Sequence, residues 1–149
     1  MRVKFFVPGI PATAGSKNAF RTKTGKIVMA PANKRQKPWM SHVANCALDH
    51  CTKQIIFGAA ALCVTFILPR PISHYGTGKN RSKLKLSAPR YPITKPDLTK
   101  LLRAAEDALK GILWRDDSQV VQQSVRKEYV SEKYPNPGAI IVVEEKSQL

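Results

Sequence analysis

The stretch Thr94–Val121, TKPDLTKLLRAAEDALKGILWRDDSQVV, constrains this chain more than any other. Leu98, Leu101, Leu102, Ala105 and Leu109 recur at the helical period, so the spacing predicts one helix with a single buried stripe. Thr94 followed three positions later by Asp97 reads as a capping box. Pro96 fits the first turn, where the N–H it lacks would go unpaired anyway. Gly111 closes the helix, with Lys110 in its last turn. At about 100° per residue, Thr99, Arg103, Glu106 and Lys110 share a face turned away from the stripe. Ser118 to Val130 is then rich enough in Val and Tyr to form a strand.

Charge is distributed unevenly around this element. Residues 1–96 hold seventeen Lys or Arg and one acid, Asp49, whereas residues 97–149 hold eight bases and nine acids. Five of the ten acids lie in the central stretch: Asp97, Glu106, Asp107, Asp116 and Asp117. The total is +15, with a sequence pI near 10.1, which points to nucleic acid or an anionic membrane as partner. Carboxylates set against a basic half imply a hard-metal site held against a polyanion, the arrangement a metal-dependent nuclease needs.

The order Lys-Pro-Asp-Leu, a Leu/Ala helix ending Asp-Ala-Leu, a Gly, and then Asp-Asp-Ser-Gln-Val-Val resembles the RusA family of Holliday-junction resolvases, small endonucleases common in phages and prophages. The resemblance covers most of the chain. In that family the helix opens with Asp-x-Asp and a further Asp comes from the Asp-Asp pair, together binding Mg²⁺ or Mn²⁺. Carried over, the metal ligands are Asp97 and Asp117, with Asp116 beside the second. Thr99 stands where the family has its second Asp, and Arg103 where it has a catalytic helix lysine. The resemblance further implies a homodimer with two active sites, acting on branched DNA, the four-way junction, in a bacterial cytoplasm.

Physical chemistry assigns roles around those positions. Arg103 can contact the scissile phosphate or stabilise developing charge; its plainer role is an i,i+4 ion pair with Asp107. Lys100 also lies on the Asp107 side, which favours Asp107 as a structural partner over a ligand. Glu106 follows Thr99 by seven residues on the same face and leans toward it, so it can restore the missing charge through water or a second ion. The lost carboxylate at Thr99 leaves an alternative: a branched-DNA or RNA binding module without nuclease activity.

The remaining chain gives the frame. Its 149 residues fit one domain. Arg2–Val7 reads as a strand ended by Pro8-Gly9, and Phe20–Met29 as a hairpin turning at Thr24-Gly25. The loop and hairpin residues Lys17, Arg21, Lys23 and Lys26 are candidate DNA-backbone contacts, whereas Gly15-Ser16-Lys17 lacks the first glycine of a phosphate loop. Lys37 to about Thr52 predicts a helix with Trp39, Val43, Cys46 and Leu48 on its apolar face. His42, Cys46 and His50 lie near one face, but without zinc-site spacing they read as packing and surface residues. The second half of Ile55–Leu68 predicts a buried strand.

Residues 70–95 carry seven bases, no acids and several prolines, which predicts a mobile basic arm presenting Lys79, Arg81, Lys83, Lys85 and Lys95 to DNA, joined by Lys100 on the helix. Pro135–Gly138 is a turn, Ala139–Val143 a last strand, and Glu144–Leu149 a polar tail expected to fray. No apolar run reaches membrane-span length and the start lacks a signal-peptide pattern, so a cytoplasmic location is expected, in keeping with three unpatterned cysteines. The fold class these elements predict is α+β (mixed α/β): one mixed sheet packed by two main helices.

Overall fold

The computed structural model describes every residue except Ser16, Thr52 and Lys53. Its elements run β1 (Arg2–Pro8), β2 (Lys17–Arg21), β3 (Ile27–Pro31), α1 (Gln36–His50), β4 (Ala59–Leu68), α2 (Leu98–Leu109), β5 (Val120–Tyr129) and β6 (Gly138–Lys146). Four strands form a mixed sheet in the order β1-β6-β4-β5, antiparallel except for the parallel pair β4–β5. The β2–β3 hairpin stands as a separate two-stranded sheet. This is the expected α+β architecture. No helix among the described residues is long and apolar enough to cross a membrane.

Alternation decides which side of the sheet is covered. Val3, Phe5 and Val7 of β1 are buried while their neighbours are exposed, because a strand's side chains alternate between faces. They join Leu62, Val64, Phe66, Ile141 and Val143 in one cluster with Trp39 and Val43 of α1 and Leu101 and Leu109 of α2. Burying each such large apolar side chain contributes about 1.5–3 kcal/mol. α1 packs on β1 and α2, and α2 packs on β5. The opposite face carries Phe6, Cys63, Ile140 and Val142, none of them fully buried. There Thr65 Oγ1 accepts from Arg126 Nε at 3.2 Å, and Arg126 donates onward to the Tyr134 hydroxyl.

Several boundaries differ from the sequence reading. The buried face of α1 uses Trp39, Val43 and Ala47, while Leu48 is 58% exposed. A small alanine lets the helix approach β1, and Leu48 lies a further 100° around. The expected helix end at Thr52 lies outside the described residues. His50 Nδ1 lies 2.8 Å from the Cys46 carbonyl and its ring stacks on Phe5, so this histidine is used in packing. The C-terminal strand continues to Lys146 because β4 and β1 offer pairing partners out to Ala59 and Arg2, so the first half of the expected frayed tail is strand.

Residues 70–95 add no α-helix or strand. They hold two single 3₁₀ turns, at Ile72–His74 and Gly78–Asn80, and one bridge between Tyr75 and Leu84. Arg70 ties the segment's ends: it donates to Pro89 O at 2.7 Å, approaches His74 Nδ1 at 3.3 Å and stacks 4.3 Å over Tyr129. His74 packs edge-on against the same ring.

Candidate active site

α2 enters differently from its sequence reading. Asp97 is the N-cap and Leu98 the first helical residue, so Thr94 and Pro96 precede the helix and the capping box does not form. The cause is Lys127 on β5, whose Nζ donates to Thr94 O at 2.8 Å and Pro96 O at 2.9 Å. Those carbonyls are drawn toward the sheet, and the chain turns helical only after them. The Asp97 carbonyl takes the first helical bond, from Leu101 N, but its carboxylate makes no cap bond. That carboxylate instead faces Lys100 Nζ at 3.6 Å, with both side chains about half exposed. Lys110 closes the helix, and Gly111 takes the positive φ (+81°) that follows. The buried stripe is Leu101, Ala104, Ala105, Ala108 and Leu109, with Leu98 and Leu102 partly buried.

Beyond α2 the chain does not pass straight into a strand. Asp117–Gln119 forms a 3₁₀ turn capped by Asp116, whose Oδ1 accepts from Ser118 N at 3.0 Å, and β5 starts only at Val120. Gln119 locks this turn in place. Its Oε1 accepts from Arg115 N and Asp116 N, and its Nε2 donates to Ile56 O and Gly58 O, each at 2.9 Å. Asp117 is aimed from below by the fully buried Trp114, whose Nε1 donates to Asp117 Oδ1 at 2.9 Å. Its other oxygen lies 3.9 Å from Lys110 Nζ, which also faces Asp116 at 3.3 Å. The hydrogen bonds from Ser118, with Lys110 beside them, hold the Asp116 carboxyl down to about 2.

The second acid of the pair therefore shares a groove with α2. A hollow of about 340 Å³ is lined by Thr99, Arg103, Glu106, Asp107, Asp117 and Gln123, with Leu102 at its floor. Burial raises the Glu106 carboxyl, Asp117 raises it further, and a hydrogen bond from Gln123 Nε2 to Glu106 Oε2 opposes both. Asp107 is also raised, first by burial and then by Asp117, against the pull of Arg103 and Lys110. Asp107 thus belongs to the acidic groove. Lys100 pairs with Asp97, and the charges that act on Asp107 from the basic side are Arg103 and Lys110.

Two sequence-selected acids, Asp117 and Glu106, meet in this groove together with Arg103. Asp116 sits at its lip, committed to its own turn and to Lys110. Asp97 lies apart, lining a separate basic hollow with Arg35, Lys95 and Lys100. Among the described residues no three His, Cys, Asp or Glu side chains converge as a ready-made metal cage.

A residue without chemistry of its own completes the arrangement. Gly15 takes φ +103°, and a Cβ there would come within 2.7 Å of Arg103 Nη1, so the glycine lets Arg103 lie against the loop after β1. Ala14 N donates to Lys100 O at 3.1 Å, pinning that loop to α2. The sequence holds no signal for the Gly15–Arg103 approach, which joins residues far apart in the chain. The remaining basic candidates, Lys17, Arg21, Lys23, Lys26, Lys79, Arg81, Lys83, Lys85, Lys95 and Lys100, are all exposed.

A basic α+β domain with a carboxylate- and arginine-lined groove between a helix and a sheet edge has the makings of a nucleic-acid-processing enzyme. The chain belongs to the RusA endodeoxyribonuclease family, whose model matches residues 8–144. It is also 33% identical over 130 residues to "Uncharacterized protein YqaN" of Bacillus subtilis (strain 168), covering 87% of this chain and 89% of that protein.

Proposed function

We propose that the chain is a metal-dependent endodeoxyribonuclease that resolves four-way DNA junctions by paired nicks, working as a homodimer. The observation that carries this reading is the groove that Asp117, Glu106 and Asp107 line together with Arg103. Burial and then the nearby Asp117 raise the proton affinity of Glu106 and Asp107, a condition that a dication would relieve. Mg²⁺ or Mn²⁺ suits it, because such ions take one or two carboxylates and keep several waters, so a three-carboxylate cage is not needed. Asp117 would hold the ion, with Glu106 contributing through water in place of the carboxylate missing at Thr99; Asp97, the other ligand that the family pattern assigns, lines a separate hollow and would join only once its exposed side chain turns toward the groove. Bound there, the ion supplies Lewis-acid stabilisation and helps ionise the attacking water.

The protein's own groups do the rest. Trp114 holds Asp117 in one orientation through its indole N–H. Arg103, backed by Gly15, supplies charge to a phosphoryl group gaining negative charge. The ten exposed bases attract the phosphate backbone and give the salt dependence expected of counterion release. Paired nicks need two sites. The sheet face bearing Phe6, Ile140 and Val142, turned away from both helices, offers an apolar surface for a second copy.

The test is incubation of the purified protein with a labelled four-way junction and a matched duplex, in Mg²⁺, Mn²⁺ or EDTA. Metal-dependent symmetric nicking confined to the junction is the expected result. Tight junction binding with no nicking in either metal selects the non-catalytic module that Thr99 otherwise permits.

A further inference from the structure

Next to Asp97 the surface holds a trough that the cleavage chemistry does not use. Two hollows, of about 530 and 340 Å³, adjoin along a shared wall of Thr13, Asn33, Arg35, Lys95 and Pro96. The hollow nearer Asp97 adds Lys34 and Lys100, so four bases face one carboxylate there. That carboxylate pairs with Lys100, while Lys34, Arg35 and Lys95 have no acidic partner within 4.0 Å among the described residues. The farther hollow changes character: beyond the wall it is lined by Ile10, Pro71, Pro92 and Tyr129, and it holds no acid at all.

The wall is fixed in place by a set of hydrogen bonds. Asn33 uses both ends of its amide, accepting from Arg35 N at 3.0 Å and donating to Thr13 Oγ1 at 3.3 Å. Arg35 Nη2 donates to Ile10 O at 3.3 Å, so the guanidinium spans from the start of α1 to the loop after β1. One bond to a neutral carbonyl leaves most of its five donors and its whole charge for a ligand. Lys95 enters the wall from the opposite side, on the segment that Lys127 ties to β5. Two cations from distant parts of the chain thus flank one concavity, with a hydroxyl and an amide between them.

We infer that this trough seats one unpaired nucleotide of the DNA, its phosphate between Arg35 and Lys95 and its base in the proline-lined hollow. A duplex is far wider than either hollow, whereas cavities of roughly 300–1,000 Å³ with apolar walls and a few polar groups suit small planar ligands. With Asp97 paired to Lys100 and no acid within 4.0 Å of Arg35 or Lys95 among the described residues, both charges are open to a phosphate, and a bidentate arginine contact is the strongest such grip. Withdrawing a base from a duplex costs its stacking and pairing, and costs least where stacking is already broken. A branch point meets that condition and continuous duplex does not, so the trough gives the protein a way to sense branching before any bond is cut. The inference rests on the proposed action on branched DNA, and extends it to how the branch is recognised.

The test uses the intact protein in EDTA, where nicking does not intervene, and a four-way junction carrying 2-aminopurine at the exchange point. Binding should raise 2-aminopurine fluorescence several-fold as the base leaves its stack, with no rise on a matched duplex. Ile10→Glu, at a 43% exposed position, sets a carboxylate against Arg35 and should abolish the rise. Arg35→Gln should weaken junction binding and lower the slope of log K against log salt by about 1, the share of one phosphate contact. Circular dichroism and the melting temperature of both variants should match the parent. Tight binding without a fluorescence rise, a rise that survives Ile10→Glu, or an unchanged slope for Arg35→Gln would each overturn the inference. Failure of the intact protein to prefer the junction over duplex at all would overturn the proposed function itself.

Discussion

Asp117 and Asp97 are held in opposite ways. Asp117 is fixed from beneath: a buried indole N–H grips one oxygen, and the turn that carries it is tied by Gln119 to the chain entering β4. Asp97 stands at the exposed start of α2 with no cap bond, facing a lysine that is itself half in solvent. A surface ion pair of that kind is worth about 0–1 kcal/mol and does not fix a rotamer. The difference teaches which half of the site is preorganised. One carboxylate is placed by folding, and the other is left at the surface with only a half-exposed lysine to face.

Removing either carboxylate gives the largest expected effect. Asp117→Asn and Asp97→Asn should each bring junction nicking to background while leaving junction affinity intact or higher, read by gel assays in Mg²⁺ and in EDTA. Near-parental nicking by either variant would remove that residue from the metal site. Trp114→Phe is a sharper probe, because it keeps the buried ring but deletes the bond that aims Asp117. Loss of such an orienting partner typically costs 10–100-fold, so nicking should fall by about that factor. Lys100→Gln, the matching change beside Asp97, should alter stability by under about 1 kcal/mol. If the two changes affect nicking equally, the contrast between a fixed and an unfixed carboxylate is wrong.

Gly15→Ala should act on both folding and catalysis. Forcing a Cβ into φ +103° costs about 1–3 kcal/mol in melting experiments, and the same Cβ meets Arg103, so nicking should also fall.

The smallest effect is a pH-dependent one. Burial and Asp117 raise the Glu106 carboxyl above its unfolded value, so its neutral form is favoured in the fold. Stability from that shift is present in full below the unfolded glutamate value and is lost as pH rises through the folded one. In EDTA, Glu106→Gln should therefore melt slightly higher than the parent at pH 7, and the gain should vanish toward pH 4. A gain that is flat across this range would place Glu106 outside the electrostatic reach of Asp117.

Much of the frame was legible because it obeys short-range rules. The alternation of Val3, Phe5 and Val7, the Thr24-Gly25 turn and the apolar stripe of α2 each follow from local periodicity or turn chemistry. The misreadings came from long-range partners. The Thr94 capping box failed because Lys127, more than thirty residues later, claims the carbonyls before the helix. Leu48 lost its place in the core to Ala47, since fit against β1 outweighs hydrophobicity alone. That Asp107 also lines the groove with Asp117 was not legible, because it depends on how the turn folds back, which no spacing within α2 reveals. The hairpin was legible, but not its separation from the main sheet.

The parallel pairing of β4 with β5 sets an order of events. Ala60 meets Val120, sixty residues away, and Gln119 can bond Ile56 and Gly58 only once those strands are in register. Contacts this distant in sequence form slowly, because the intervening chain must lose its freedom before they repay it. A chain still leaving the ribosome, or one opened locally at that strand pair, presents the basic surface without an aimed Asp117. If the proposed function holds, such a species would bind DNA without cutting it, so cutting would have to wait for the sheet to close.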